Sequence, residues 1–351
     1  MSCREIANGA NFRKTWISRA RQSLARDANI TGLVLLFFDS AMSSATRSLS
    51  IPTLDVDGDA VHRALLGARA PVSAVAAARP ELRSVLAAAR AACRQLGAAP
   101  RPELLHQACL VRFDAAAWPE RDFHRCVLTC VAAHWLGAGQ PFGWLEQGPS
   151  VFRPLDTADI AAVSQPPAEV FRTAEAALRP AFQPQVLSWT CCANRTRSAI
   201  GVVAVDSLVA ALPAGLRETA RQARFRHEPG TADVSASAPS GLFWNSPRGT
   251  MAALDLCCTI PARCGDAAAL QALREIDAAA RQRAVWLVLQ PGEVLFLRNH
   301  RVLHATRWQP GACRMLCAQW RESLLALGNF AGTGMPGVFS MARLLRPAGA
   351  R

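Results

Sequence analysis

The stretch PGEVLFLRNHRVLHATRWQPGACRMLCAQWRES, residues 291–323, decides how this chain is read. A Pro-Gly turn opens it, and GEVLFLRN reads as a strand. Residues 299–304 read as the continuation of that strand, which ends on His304. A second apolar run, RMLCAQW, carries Arg314 ten positions after His304. An imidazole so placed can be presented to a metal held between two sheets. A guanidinium on the next strand can grip a carboxylate with two hydrogen bonds. Taken alone, a strand histidine followed by an arginine is more often a satisfied core residue than a ligand.

Upstream of this stretch the same texture reaches back to about residue 150. Short apolar runs such as VLSWTCCA, AIGVVAVDSLVAAL, GLFWN and TMAALDLCCTI alternate with proline, glycine and polar clusters, which reads as a β-rich core. One helix, residues 265–283, interrupts it, and Asp266 is placed to cap its start. Before residue 150 the character is helical. The stretch from Val61 to Gly97 is alanine-rich, and WPERDFHRCVLTCVAAHWLGAGQPFG has helical spacing that stops at Gly137 and Gly139. CLVRFDAAAW between them reads as a strand. Residues 1–42 read as an N-terminal extension, and residues 43–345 as one domain whose sheet core begins near 150.

Composition excludes several classes. No run approaches the roughly 18 apolar residues of a membrane span; the longest, ITGLVLLFF, ends at Asp39. The net charge is +13, but Lys14 is the sole lysine, there is no tyrosine, and the arginines are scattered. Nucleic-acid binding needs a clustered basic face, so no nucleic-acid partner is expected. Twelve cysteines without a CxxC motif do not make a disulfide scaffold in a chain this long, which points to a reducing cytoplasm, and the adjacent pairs Cys191–Cys192 and Cys257–Cys258 read as small core fillers in strand-like runs.

From Leu136 to Ser323 the chain resembles the clavaminate synthase-like branch of the taurine dioxygenase superfamily. The segments that carry the likeness, in order, are LGAGQPFGWLEQGPSVFRPL, FRTAEAALRPAFQPQVLSW, AIGVVAVDSLVAAL and ALREIDAAARQRAVWLVLQPGEVLFLRNHRVLHATRW. The resemblance implies an α/β protein with a double-stranded β-helix, jelly-roll-like core flanked by helices. It implies Fe(II) and 2-oxoglutarate as cofactors, and hydroxylation or desaturation of a small amino-acid-like metabolite. Residue by residue, Glu175 matches the metal carboxylate, His304 the distal metal histidine and Arg314 the 2-oxoglutarate anchor. Arg307 is a further candidate for substrate or co-substrate charge.

This chain departs from the family at three places. Thr173 stands where the first metal histidine is expected, and a neutral hydroxyl is a poor donor for Fe(II). Ile200 and Gly201 occupy the place of a threonine that contacts 2-oxoglutarate, and Arg298 replaces an aspartate before Asn299. His62, His106, His124, His134, His227 and His300 are the other histidines that could substitute, with His300 too far along the strand from His304 and His227 in a loop-like stretch. His124, Cys126, Cys130 and His134 share one helix, which cannot wrap a tetrahedral zinc ion. Two functions therefore stand side by side: an oxygenase of amino-acid-like metabolites, and a non-catalytic member that binds a small anion or a protein partner. Oligomeric state is not legible in the sequence.

Overall fold

The computed structural model describes Leu49 and residues 51–345, apart from 58–59, 61–62, 64, 66–80, 97–99, 115–118, 149, 157–168, 180, 229–236 and 310. The expected extension, residues 1–42, lies outside the described residues. In chain order the elements are β1 (Thr53–Val56), α1 (Leu82–Leu96), β2 (Ala108–Phe113), α2 (Asp122–Trp135), β3 (Gln140–Trp144), β4 (Arg153–Asp156), β5 (Val186–Asn194), β6 (Ala199–Ala204), α3 (Val205–Ala211), α4 (Ala214–Arg221), β7 (Phe225–His227), β8 (Phe243–Ser246), β9 (Gly249–Ala252), β10 (Thr259–Pro261), α5 (Ala267–Arg283), β11 (Val285–Leu287), β12 (Glu293–Arg298), β13 (Val302–Arg307), β14 (Cys313–Arg321), α6 (Leu325–Ala331), β15 (Val338–Phe339) and α7 (Met341–Leu345).

Two sheets dominate. The larger runs β1-β2-β12-β5-β14-β3-β15, with β4 also paired to β14, and the smaller runs β11-β6-β13. Strand alternation sorts their side chains into layers. Leu187, Trp189, Cys191, Leu295, Leu297 and Met315 of the large sheet meet Ile200, Val202 and Val302 of the small one in a shared core. The opposite face of the large sheet, with Val294, Phe296, Leu316, Ala318 and Trp320, packs on α1 and α2. The opposite face of the small sheet, with Val203, Leu303 and Ala305, packs on α3 and α5. The order is helix, sheet, sheet, helix. Cys191 and Cys192 divide between the two faces of β5, as alternation requires, whereas Cys257 is exposed in a turn rather than in a strand.

Local signals explain several elements. Asp266 accepts a hydrogen bond from the Ala269 amide at 3.0 Å and caps α5. Gly137 follows α2 with φ 60°, a backbone conformation that stops a helix without side-chain strain. At Gly201 of β6 a Cβ would lie 2.9 Å from the ring of Trp286, its cross-strand partner on β11. Arg307 stacks on that indole at 4.1 Å, and Phe171 meets it edge-on at 6.1 Å, so the ring has little room to move. Gly201→Ala is expected to destabilise the protein by about 1–3 kcal/mol through overpacking, read as a lower urea midpoint.

Two expectations need correction. The large sheet reaches further back than residue 150, because β1, β2 and β3 belong to it. Residues 291–307 are not one strand. A turn at residues 299–301, closed by the Arg301 amide on the Arg298 carbonyl at 2.9 Å, carries the chain from β12 in the large sheet to β13 in the small one. Apolar residues continue through the crossing, so the sequence shows no break. Arg301 holds the crossing: it is buried, pairs with Asp206 at 2.7 Å and donates to the Arg248 carbonyl.

Candidate functional site

His304 follows from the alternation of β13. Leu303 and Ala305 face the helices, so His304 faces the space between the sheets. Its ring lies 5.0 Å from that of Trp189 on β5. Burial, with the nearby Arg172 charge adding to it, lowers its pKa to about 3. The imidazole is therefore neutral at physiological pH. Its Nδ1 is buried and has no hydrogen-bond partner.

The segment 171–175 docks beside β13. Arg172 and His304 exchange both backbone hydrogen bonds at 2.9 Å, and Arg172 also bridges to Asp255. Directly opposed residues of an antiparallel pair put their side chains on the same face. Arg172 thus shares the face of His304, and its charge bears on both His304 and Glu175. Thr173 falls on the other face. It is buried, its hydroxyl accepts from the Leu254 amide at 3.0 Å, and it lies 3.3 Å from the Leu254 carbonyl. Thr173, expected at the metal-histidine position, is thus hydrogen-bonded to the Leu254 backbone, while the exposed Arg172 acts on His304 through its charge.

Glu175 sits just beyond, at φ 56°. Its Oε1 accepts from Gln147 Nε2 at 2.6 Å and from Gln319 Nε2 at 3.2 Å. Burial pushes its carboxyl above the usual range, while the two amides and the charges of Arg153 and Arg172 pull it back. Asn299, at the sheet crossing, holds this segment. Its Oδ1 accepts from the Ala174 amide at 2.6 Å, and its Nδ2 donates to the Ala174 carbonyl at 3.1 Å and to Pro184 at 3.0 Å. One buried amide therefore fixes the loop bearing Glu175 to the strand bearing His304.

The two arginine expectations are also corrected. Arg314 lies on the face of β14 that meets the helices, where it pairs with Asp122 at the start of α2 at 2.5 Å. The inward residues of that strand are Cys313, Met315, Cys317 and Gln319. Arg307 faces outward as well, paired with Glu169 at 2.8 Å and stacked on Trp286. Neither reaches the space in front of His304. Ile200 faces that space as an apolar wall.

The remaining histidines have other duties. His300 donates from Nδ1 to the Ala252 carbonyl at 3.1 Å and packs on Trp244. His227 is buried beside Thr259, 2.9 Å from its hydroxyl. Cys126 and Cys130 pack in the core around α2. Among the described residues no group of three or more His, Cys, Asp or Glu side chains could hold a metal ion.

His227 also makes a pH prediction. Burial lowers its pKa from the ordinary 6.5 to about 4. Between those values the unfolded chain takes up a proton that the folded chain refuses. Its contribution to stability is full above pH 6.5 and is lost as pH falls towards 4, by at most about 1.4 kcal/mol per pH unit. His227→Gln should flatten the stability slope by up to about that amount in urea unfolding between pH 6 and 4.5.

No family model matches the sequence, and no curated protein matches it. Solved structures do match. Asparagine oxygenase in complex with Fe(II), 3-hydroxyasparagine and succinate aligns with a TM-score of 0.63 at 17% identity, covering 82% of this chain and 99% of that one. The non-heme iron oxygenase OrfP in complex with Fe, succinate and (3S)-hydroxy-L-Arg aligns with a TM-score of 0.62 at 17% identity, covering 82% of this chain and all of that one.

The chain shares the fold of the non-heme iron oxygenases. At this identity the likeness is one of fold. His304 is a fitting donor, neutral and with an unpartnered ring nitrogen. Glu175 is a second, already bound to two amides. The exposed Arg172 adds a positive charge that bears on both. One imidazole and one carboxylate, with no third such donor grouped with them among the described residues, do not fit a resident Fe(II), which takes two imidazoles and a carboxylate in this geometry. Among the described residues no helix is long and apolar enough to cross a membrane.

Proposed function

We propose that this protein is an iron(II)/2-oxoglutarate oxygenase-like protein that receives a small amino-acid-like molecule between its two sheets. We read those sheets as the double-stranded β-helix of that family. The neighbours' bound molecules, an asparagine and an arginine derivative, support the ligand class. Within this reading the geometry favours binding without metal-dependent turnover. The observation that carries it is the missing third donor among the described residues, beside an Arg172 charge that bears on both His304 and Glu175. A cation there repels a divalent ion and attracts an anionic ligand.

The second reading, hydroxylation or desaturation with Fe(II) and 2-oxoglutarate, is favoured by the neutral imidazole of His304 and the carboxylate of Glu175. One experiment separates the two. The anaerobic protein is titrated with Fe(II) and 2-oxoglutarate, and the metal-to-ligand charge-transfer band is sought; succinate formation is then followed under oxygen. The binding reading expects neither signal. A stoichiometric band with succinate formation would establish turnover in its place.

A further inference from the structure

Three polar atoms in the space between the sheets are buried and without partners: His304 Nδ1, Arg153 Nε and Gln319 Oε1. Folded proteins seldom leave such atoms unpaired, and a cluster of them around one space marks a place for a ligand's own polar groups. Arg153 is the cation among them. On β4 it lies opposite Cys317 of β14, which in turn lies opposite Trp189 of β5. These cross-strand neighbours share the inward face. Strand spacing places Arg153 about 10 Å across the sheet from Trp189, over which His304 sits. That span suits a small molecule.

The surroundings of Arg153 orient it, and Glu175, whose carboxylate feels its charge, makes no direct ion pair with it. Its Nη1 donates to Gln147 Oε1 at 2.7 Å, and Gln147 in turn donates to Glu175, which also accepts from Gln319. Among the described residues no carboxylate lies within ion-pair distance of Arg153. Its Nε edge therefore remains for an acceptor from outside the chain. Arg314 and Arg307, by contrast, are both ion-paired on outward faces.

Building on the ligand reading above, we propose that Arg153 is the residue that binds the carboxylate of the molecule held between the sheets, and that Gln319 Oε1 accepts a hydrogen bond from an N–H or O–H group of the same molecule. The ligand is then a small amino or hydroxy acid. A keto acid has the carboxylate but lacks the donor, so the two classes separate in the test.

The test is calorimetric titration of the metal-free full chain, in a chelator, with L-asparagine, L-arginine and 2-oxoglutarate as probes. Saturable binding of at least one of the amino acids, tighter than that of 2-oxoglutarate, is expected. Arg153→Gln should weaken it by about ten-fold or more, the scale of a lost charge-assisted hydrogen bond. Arg314→Gln should leave it unchanged, and a native thermal transition should persist in both variants. Equal affinity in Arg153→Gln and wild type, a loss in Arg314→Gln instead, tighter binding of 2-oxoglutarate, or no saturable binding of any probe would overturn the assignment. If Arg153→Gln fails to fold, Arg153→Lys, which keeps the charge and loses the Nε edge, must show the weakened binding. Iron-dependent succinate formation would sink the non-turnover reading and leave this assignment standing, because the titration is metal-free. Unchanged affinity in the Arg153 variants would do the reverse.

Discussion

Arg172→His is expected to tighten Fe(II) binding by at least about ten-fold over wild type, whereas Thr173→His is expected not to improve it. The reason is the ladder between segment 171–175 and β13. Arg172 is the partner of His304, so a histidine at 172 would put a second imidazole on the face of the first. The same change removes a positive charge whose influence now reaches both His304 and Glu175. A histidine at 173 would instead enter the layer that holds the Leu254 backbone and would sacrifice the hydroxyl that accepts from its amide. That variant should lose stability without gaining metal. Anaerobic calorimetry with Fe(II), run beside urea unfolding for each variant, checks both halves. Tight binding in Thr173→His with none in Arg172→His would show that the sequence spacing, not the ladder, locates the metal position.

Asn299→Ala is expected to lower the unfolding free energy by about 3 kcal/mol. Asn299 is fully buried and makes three side-chain hydrogen bonds, two to the Ala174 peptide and one to Pro184. Alanine would leave one amide and two carbonyls without those partners, and each buried polar group so stranded costs roughly 1–3 kcal/mol before relaxation. The effect is local as well as global. The Ala174 peptide joins Thr173 to Glu175, so freeing it releases the carboxylate from its place beside Gln147 and Gln319. Hydrogen exchange at the Ala174 amide should accelerate in the variant by more than exchange in the core of β5. A variant with wild-type urea midpoint and unchanged exchange would show that the clamp contributes nothing.

Much of the architecture was open to inspection in the residues themselves. The runs at 186–194, 199–204 and 293–298 are strands because β-branched and apolar side chains continue across them, buried on both faces by helices outside and the partner sheet inside. That double burial also hid the crossing at 299–301, since β12 and β13 are equally apolar and the turn contains neither glycine nor proline. His304 was legible because it interrupts an apolar run. The side on which each arginine falls was not. Spacing places Arg314 on the correct strand, yet one step of alternation decides between the metal space and Asp122, and the bulge between Arg314 and Met315 lies at that step. Arg172 was missed for a related reason: its position is set by pairing with a strand 132 residues away, which no local pattern records. Arg153, Gln147 and Gln319 look like ordinary polar residues until their unpaired or shared atoms are seen to meet around one space.

His304 faces this space as a neutral imidazole under the influence of the Arg172 charge, without a second imidazole to complete a metal site. The most direct measurement is nitrogen NMR of the histidine-labelled protein, with the His304 signal identified by its loss in His304→Gln. One equivalent of Zn(II), a diamagnetic stand-in for Fe(II), should leave the His304 ring nitrogens at their neutral-imidazole positions in wild type and move them in Arg172→His. A coordination shift of the wild-type signal at that stoichiometry would contradict the account.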